Sequence, residues 1–313
     1  MITPVSAMSL GDIFDQIFKL TAKTFIRNFF IVSLLLVPSS VTLAFGLEAF
    51  ISSLMELALQ QMTPGAYTAE QLHLALRSIA SLSVGMGMLS LTLLAAKLGV
   101  TIIACSEMSG QDLAWQDALV MAFGVKLWRL SSQVALLSLS VGGLAVLPYL
   151  MLMAGTVARS PALALLGVPL FLLTVPLAVF YWVRWEFALP SIAWENAGVS
   201  QSFDRSAKLV QGLWWRTFGL LFLLGLICQF ALSLLTTPIS LLALWDFYAK
   251  YLEIIASSGS GKIDPAVSID LFDSIGLRLG LVTSVSLILS TITSPLITTV
   301  MYFDLRARKG ESA

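Results

Sequence analysis

Residues 181–218 read YWVRWEFALPSIAWENAGVSQSFDRSAKLVQGLWWRTF. The stretch leaves one strongly apolar segment carrying Arg184 and Glu186, passes through a short amphipathic stretch, and enters another apolar segment behind Trp214, Trp215 and Arg216. A helix crosses a bilayer with about 20 apolar residues. Two runs of that kind therefore meet here through a polar connection. The run before it, which carries Pro169, Pro176 and Pro190, is too long for one straight crossing and is expected to kink or to continue beyond the membrane plane.

The whole chain supports this reading. Of its 313 residues 58% are hydrophobic and 12% charged, with a mean hydropathy of +0.90, which places it outside soluble composition and among integral membrane proteins. Formal net charge is zero, so bulk charge favours no nucleic-acid partner. The first long apolar run begins near Phe29, behind a mixed-charge segment, so no cleaved signal is expected. Two cysteines, Cys105 and Cys228, make a disulfide framework improbable.

Taken in order, Ser9 and Asp12 form a capping box ahead of Leu10, Ile13, Phe14, Ile17, Phe18 and Thr21 on one helical face, with Lys19, Lys23 and Arg27 on another. The pattern fits either an interfacial helix facing anionic headgroups or a helix docked on the protein itself. A first span is expected over about 28–58, interrupted by Pro38, and Thr68 with Gln71 caps an outer helix bearing His73. Further spans follow at about 80–105, containing Lys97, at about 133–155, and through Pro169 to Pro190. Two more cover about 214–243 and 275–302. Ser109 with Asp112 opens a second amphipathic stretch through Leu113, Ala114, Ala118, Val120, Met121 and Leu127. Val199, Phe203, Ala207 and Val210 form the apolar side of a third, and a fourth piece lies near 248–255. The expected fold is all-α and polytopic: one membrane domain, 1–313, of about six transmembrane helices with interfacial helices.

Six spans put both termini on one side. Lys19, Lys23, Arg27, Lys126, Arg129, Arg184, Arg205, Lys208, Arg216, Arg306, Arg308 and Lys309 fall there, against Arg77, Arg159, Lys250, Lys262 and Arg278 opposite, which predicts cytoplasmic termini. The order of amphipathic stretch, span out, loop, span back, acid and glycine occurs three times. It suggests repeats over 9–108, 109–197 and 198–313. Arg27 in FIRNF, Trp128 and Arg129 in LWRL, and Trp214, Trp215 and Arg216 in WWRTF are the candidate interfacial anchors. Each return ends in an acid and a glycine: Glu107 and Gly110, Glu195 and Gly198, Asp304 and Gly310.

Lys97 and Glu186 lie ten and nine residues before the returning acids, hence roughly 15 Å along their helices at 1.5 Å per residue. A lone charge at that depth costs at least about 2.5–3.5 kcal/mol, so the two are natural partners, while Arg184 needs another acid, a carbonyl or a headgroup. Lys97, Arg184 and Glu186 are accordingly an interhelical clamp or the lining of a polar cavity. Ser286, Ser290, Ser294 and Thr298 recur every fourth position as a helix-packing face or, alternatively, a solute path. No hydrolase, nucleotide-binding or metal motif occurs, so neither catalysis nor a metal or other cofactor is expected.

ENAGVSQSFDRSAKLVQGLWWRTFGLLFL at 195–223, SPLITTVMYFDLRARKG at 294–310 and SLGDIFDQIFKLTAKTFIRNF at 9–29 resemble the membrane-domain family attached to some glycerophosphoryl diester phosphodiesterases. In such proteins catalysis belongs to a soluble domain whose pattern this sequence does not carry, so the resemblance implies a six-span bacterial inner-membrane anchor or accessory subunit. The expected function is a non-enzymatic scaffold, anchor or assembly subunit, with membrane lipids and a membrane-protein partner or further copies of itself around it. The alternative is a transporter or lipid-handling protein with a polar intramembrane cavity.

Overall fold

The computed structural model describes residues 7–60, 69–157, 160–257 and 275–311. Every element among them is an α-helix: α1 (Leu10–Gln60), α2 (Ala69–Met108), α3 (Trp115–Ala122), α4 (Val125–Val157), α5 (Pro161–Trp185), α6 (Ala188–Glu195), α7 (Val199–Val210), α8 (Trp214–Ala243), α9 (Trp245–Ser257) and α10 (Ile275–Arg308). Six stretches, within α1, α2, α4, α5 with α6, α8 and α10, are long and apolar enough to cross a membrane. The chain is a multi-pass membrane protein. Thr68, Arg159, Lys262 and the side chains of Glu56 and Gln71 lie outside the described residues, whereas His73 is exposed on α2.

The contacts divide the chain into two compact units. The first holds residues 1–28, 98–225 and 294–313, and the second holds 29–97 and 226–293. The second sequence repeat falls wholly in the first unit, while the other two repeats contribute to both. All twelve cations assigned from sequence to the terminal side belong to the first unit. Of those assigned to the opposite side, Arg77, Lys250 and Arg278 belong to the second.

In the first unit the capping box at the head of α1 forms as expected, with the Ser9 N–H donating to Asp12 at 2.9 Å and the Asp12 N–H to Ser9 Oγ at 3.3 Å. The amphipathic segment and the first span form one uninterrupted helix. Ile13, Ile17, Leu20 and Thr24 are buried, whereas Phe18 is exposed. That face is docked on the protein.

The second amphipathic stretch differs from its reading. Ser109 and Asp112 do not cap it, because the Ser109 hydroxyl donates to the Cys105 carbonyl (2.9 Å) and α3 begins only after Ala114. Val120 and Met121, expected on its apolar side, are exposed, and Ala118 and Ala122 are the buried positions. In α7 the buried positions are Ser202, Ser206, Leu209 and Val210, so the inward face is turned from Phe203 and Ala207 toward two serines. α4 packs along α5, and α6 against α7.

The long fourth span is broken, and not at its first two prolines. Pro169 and Pro176 remain inside α5, while the chain turns at Glu186 and Phe187 before α6. Pro190 lies in the first turn of α6, where a missing N–H costs no helical bond. The groups freed by the break are taken up by α7, whose Ser206 hydroxyl donates to the Arg184 carbonyl (2.7 Å) and accepts the Phe187 N–H (3.2 Å).

In the second unit α1 meets α2 and α10 at glycines. A Cβ on Gly85 would lie 2.9 Å from Leu43 Cα, one on Gly46 3.0 Å from the Ser81 carbonyl oxygen, and one on Gly280 2.8 Å from Ala44 Cα. The Thr92 hydroxyl donates to Ser39 at 2.9 Å, and the Glu48 carboxylate accepts the Leu277 N–H at 2.9 Å. Small residues that admit close backbone approach, with occasional hydroxyl bonds, are how apolar helices hold together where lipid supplies no hydrophobic drive.

Candidate functional site

The first unit gathers the charged ends of the helices, and each repeat closes on an arginine. Arg27 of α1 donates to Glu107 at the end of α2 (2.6 Å) and to the Leu113 carbonyl (3.1 Å), and it also pairs with Asp112. Lys23 pairs with the same Glu107, whose side chain is 4% exposed. Of the basic stripe, Lys23 and Arg27 are thus engaged by Glu107 of the protein itself, while Lys19 pairs with Asp15 at the surface (2.6 Å).

The third repeat copies this closure. Arg216 at the head of α8 donates to Asp304 near the end of α10 (2.7 Å), and Arg308 donates to the same carboxylate at 3.0 and 3.2 Å. The Met8 N–H donates to Asp304 Oδ1 (2.7 Å), and the Met8 carbonyl accepts from Arg308 (2.6 Å). Entry of the chain into α1 is thereby fastened to the end of α10. Asp304 is only 1% exposed, so its three donors compensate a desolvated charge.

The middle repeat reaches the same end with carbonyls instead of an acid. Arg129 donates to the Asn196 carbonyl (2.6 Å) and Lys126 to that of Ala193 (2.8 Å), which places two cations on the C-terminal carbonyls of α6. The left-handed residue at this turn is Asn196 (φ 55°), while Gly198 stays at φ −69° and heads α7, its N–H donating to the Gln201 side chain at 3.1 Å. Gly110 and Gly310 do take the left-handed position, at φ 78° and 73°. Arg27, Arg129 and Arg216, read as lipid anchors, are therefore ties between outgoing and returning helices. Trp128 and Trp215 remain exposed, while Trp214 stacks on Phe218 with centroids 5.4 Å apart.

Glu195, left free by Arg129, joins a further cluster. It accepts from Arg205 at 2.9 to 3.2 Å and from the Tyr302 hydroxyl, and Arg205 also donates to Glu311 at 2.7 Å. The bond to Glu311 pushes the Arg205 guanidinium further toward its charged form, and the same bond holds the Glu311 carboxyl below the usual range.

Arg184 and Glu186 lie in the first unit and Lys97 in the second, where it is half-buried. Glu186 accepts the Thr298 hydroxyl at 3.1 Å. Arg184 is exposed and lines a cleft with Trp214, beside Asp204 and Lys208 of α7. The serine stripe is not one contact face either. Thr298 is buried, Ser286 and Ser290 are half-buried with hydroxyls returned to their own helix at Val282 and Leu287, and Ser294 is exposed. The buried hydroxyls of α10 run instead through Ser284, Thr291, Thr298 and Thr299.

Tyr302, Glu311 and Asp204 were not singled out from the sequence, because no spacing announces which remote helix end a side chain will meet. The signal available was the acid at each return, which identified Glu107 and Asp304 without their partners. No family model, curated protein or solved structure matches the chain.

Proposed function

We propose that this chain is a non-enzymatic scaffold or accessory subunit of a complex in the bacterial inner membrane, with both termini and the whole charged end cytoplasmic. The observation that carries the reading is the set of three arginine closures on Glu107, the end of α6 and Asp304, which make the charged end a fixed surface built from all three repeats. Groups that could do chemistry there, such as Glu107, Glu195 and Asp304, are engaged with cations and hydroxyls that hold helices in place. The transmembrane windows of α4 and α5 are only 6% and 11% buried against 39% and 56% for α1 and α2, so the α4–α5 hairpin offers apolar flanks to lipid or to another membrane protein. Support for membership of the phosphodiesterase-linked membrane family comes from the three sequence stretches and from the six-span pattern.

The test is extraction in native-lipid discs followed by mass measurement. A second polypeptide in fixed stoichiometry, cross-linked from a photoreactive residue at Leu139 or Leu172, is the expected result. A lone chain surrounded by lipid overturns the reading. Labelling of single cysteines introduced at Lys19 and Lys250 checks orientation, with the former reachable only from the cytoplasm.

A further inference from the structure

Beside the closures, the first unit contains a cleft of about 430 Å³ between the C-terminal part of α5 and α7, bounded by the turn at Gly212 and by Trp214. Its charged lining is Arg184, Lys208 and Asp204. Seven other cations of the same unit, Lys19, Lys23, Arg27, Arg205, Arg216, Arg306 and Arg308, each touch a carboxylate, and Lys126, Arg129 and Lys309 bond carbonyls. Among the described residues Arg184 and Lys208 touch none, although Asp204 precedes Lys208 by four positions on α7, the spacing and order at which a helical pair closes most readily. Arg184 instead has its guanidinium carbon 5.9 Å from the centroid of the Phe180 ring. Trp214 stacks on that ring at 5.9 Å and turns its Nε1 toward the Phe180 carbonyl at 3.4 Å.

Two cations without acidic partners at the end of a transmembrane helix, against a wall of Phe and Trp, have the composition of the headgroup layer. Aromatic rings of this kind settle at that depth, and lipid phosphates lie within reach of arginine and lysine there. Arginine supplies two parallel donors to a phosphate and lysine a point charge. Asp204 leaves the lining one formal positive charge, which matches a phosphodiester better than a doubly charged phosphomonoester. We propose that this cleft binds the phosphodiester of a membrane phospholipid, held by Arg184 and Lys208, with the acyl chains lying along the exposed side of α5.

The inference does not depend on the chain having a protein partner, and its test can fail separately. The full-length protein in a neutral detergent is titrated with phosphatidylglycerol and bound lipid is read by native mass spectrometry. The double variant R184Q/K208Q should bind the tightest lipid at least about tenfold more weakly, since each lost group is a charge-assisted donor. R184K/K208R, which keeps the charges, should recover most of the affinity, and K19Q, at the surface pair with Asp15, should change it little. Thermal unfolding of both cleft double variants should match that of the wild type, because neither cleft cation holds an ion pair. Inorganic phosphate at millimolar concentration should not displace the lipid. Equal lipid binding by wild type and R184Q/K208Q overturns the proposal, as does displacement by free phosphate at matching concentration, which would make this a soluble-phosphate site. Unchanged lipid affinity together with loss of a co-purifying polypeptide would assign the cleft to an acidic protein segment and overturn it equally.

Discussion

The two compact units are held by different physics. The first joins its helix ends by guanidinium–carboxylate and cation–carbonyl bonds, among them Arg27 with Glu107, Arg129 with Asn196 and Arg216 with Asp304. The second brings α1 against α2 and α10 at Gly46, Gly85 and Gly280, and its ion pair between Arg278 and Asp246 is solvent-exposed. The difference follows from surroundings. Near the headgroups charged side chains can reach water and each other, whereas in hydrocarbon an ionic group is costly and close backbone contact is the available attraction. The first unit is not without the second device, since a Cβ on Gly167 would lie 2.9 Å from Leu152 between α5 and α4.

The contrast is broken most severely at Asp304. Asp304→Ala should leave Arg216 and Arg308 without their carboxylate and cost about 3–5 kcal/mol, the usual cost of removing one partner of a buried pair. Asp246→Asn, at the exposed pair of the second unit, should cost under about 1 kcal/mol. Unfolding midpoints in detergent compare the two, and similar losses would refute the division.

Next in size, Gly280→Leu forces a side chain into the backbone of Ala44 and should cost about 1–3 kcal/mol or more, read as a loss of monodisperse protein on size-exclusion chromatography. Gly225→Leu, at a position with nothing near a built Cβ, should leave the elution profile unchanged.

The smallest effect belongs to Glu311. Its carboxyl is depressed by Arg205, so the pair stabilises the fold fully above the ordinary value of 4.5 and loses that contribution as pH falls through the lower native value. Glu311→Gln should lower stability at pH 7 by about 0.2–1 kcal/mol and remove that part of the acid dependence, measured as Tm between pH 7 and pH 3. An unchanged slope would show that the pair contributes nothing to the first unit.

Much of the architecture was legible in the sequence because membrane insertion acts on local composition: six apolar runs are visible without any partner. The capping box of Ser9 and Asp12 and the helix at 245–257 are local in the same sense. The roles of the charges were less legible. Lys23 and Arg27 have the spacing of a headgroup-facing stripe, yet Glu107, about eighty positions on, takes both of them. Likewise α7 hides Ser202 and Ser206 where an apolar pattern pointed to Phe203 and Ala207; Ser206 meets backbone that only the fold brings near, while Ser202 bonds the Val199 carbonyl of its own helix.

By itself the sequence determined that this protein is helical, crosses the membrane repeatedly, and carries an arginine at the start of each outward helix and an acid at each return. These are properties of short segments and their transfer to lipid. Tertiary structure decided which acid each arginine meets, that Arg129 closes on carbonyls while Glu195 turns to Arg205, and that Arg184 lines a cleft with Lys208. It also decided where the fourth span breaks. Pro169, Pro176 and Pro190 look alike in sequence, but the break lies at Glu186 and Phe187, where Ser206 of another helix stands ready to bond the backbone groups it exposes.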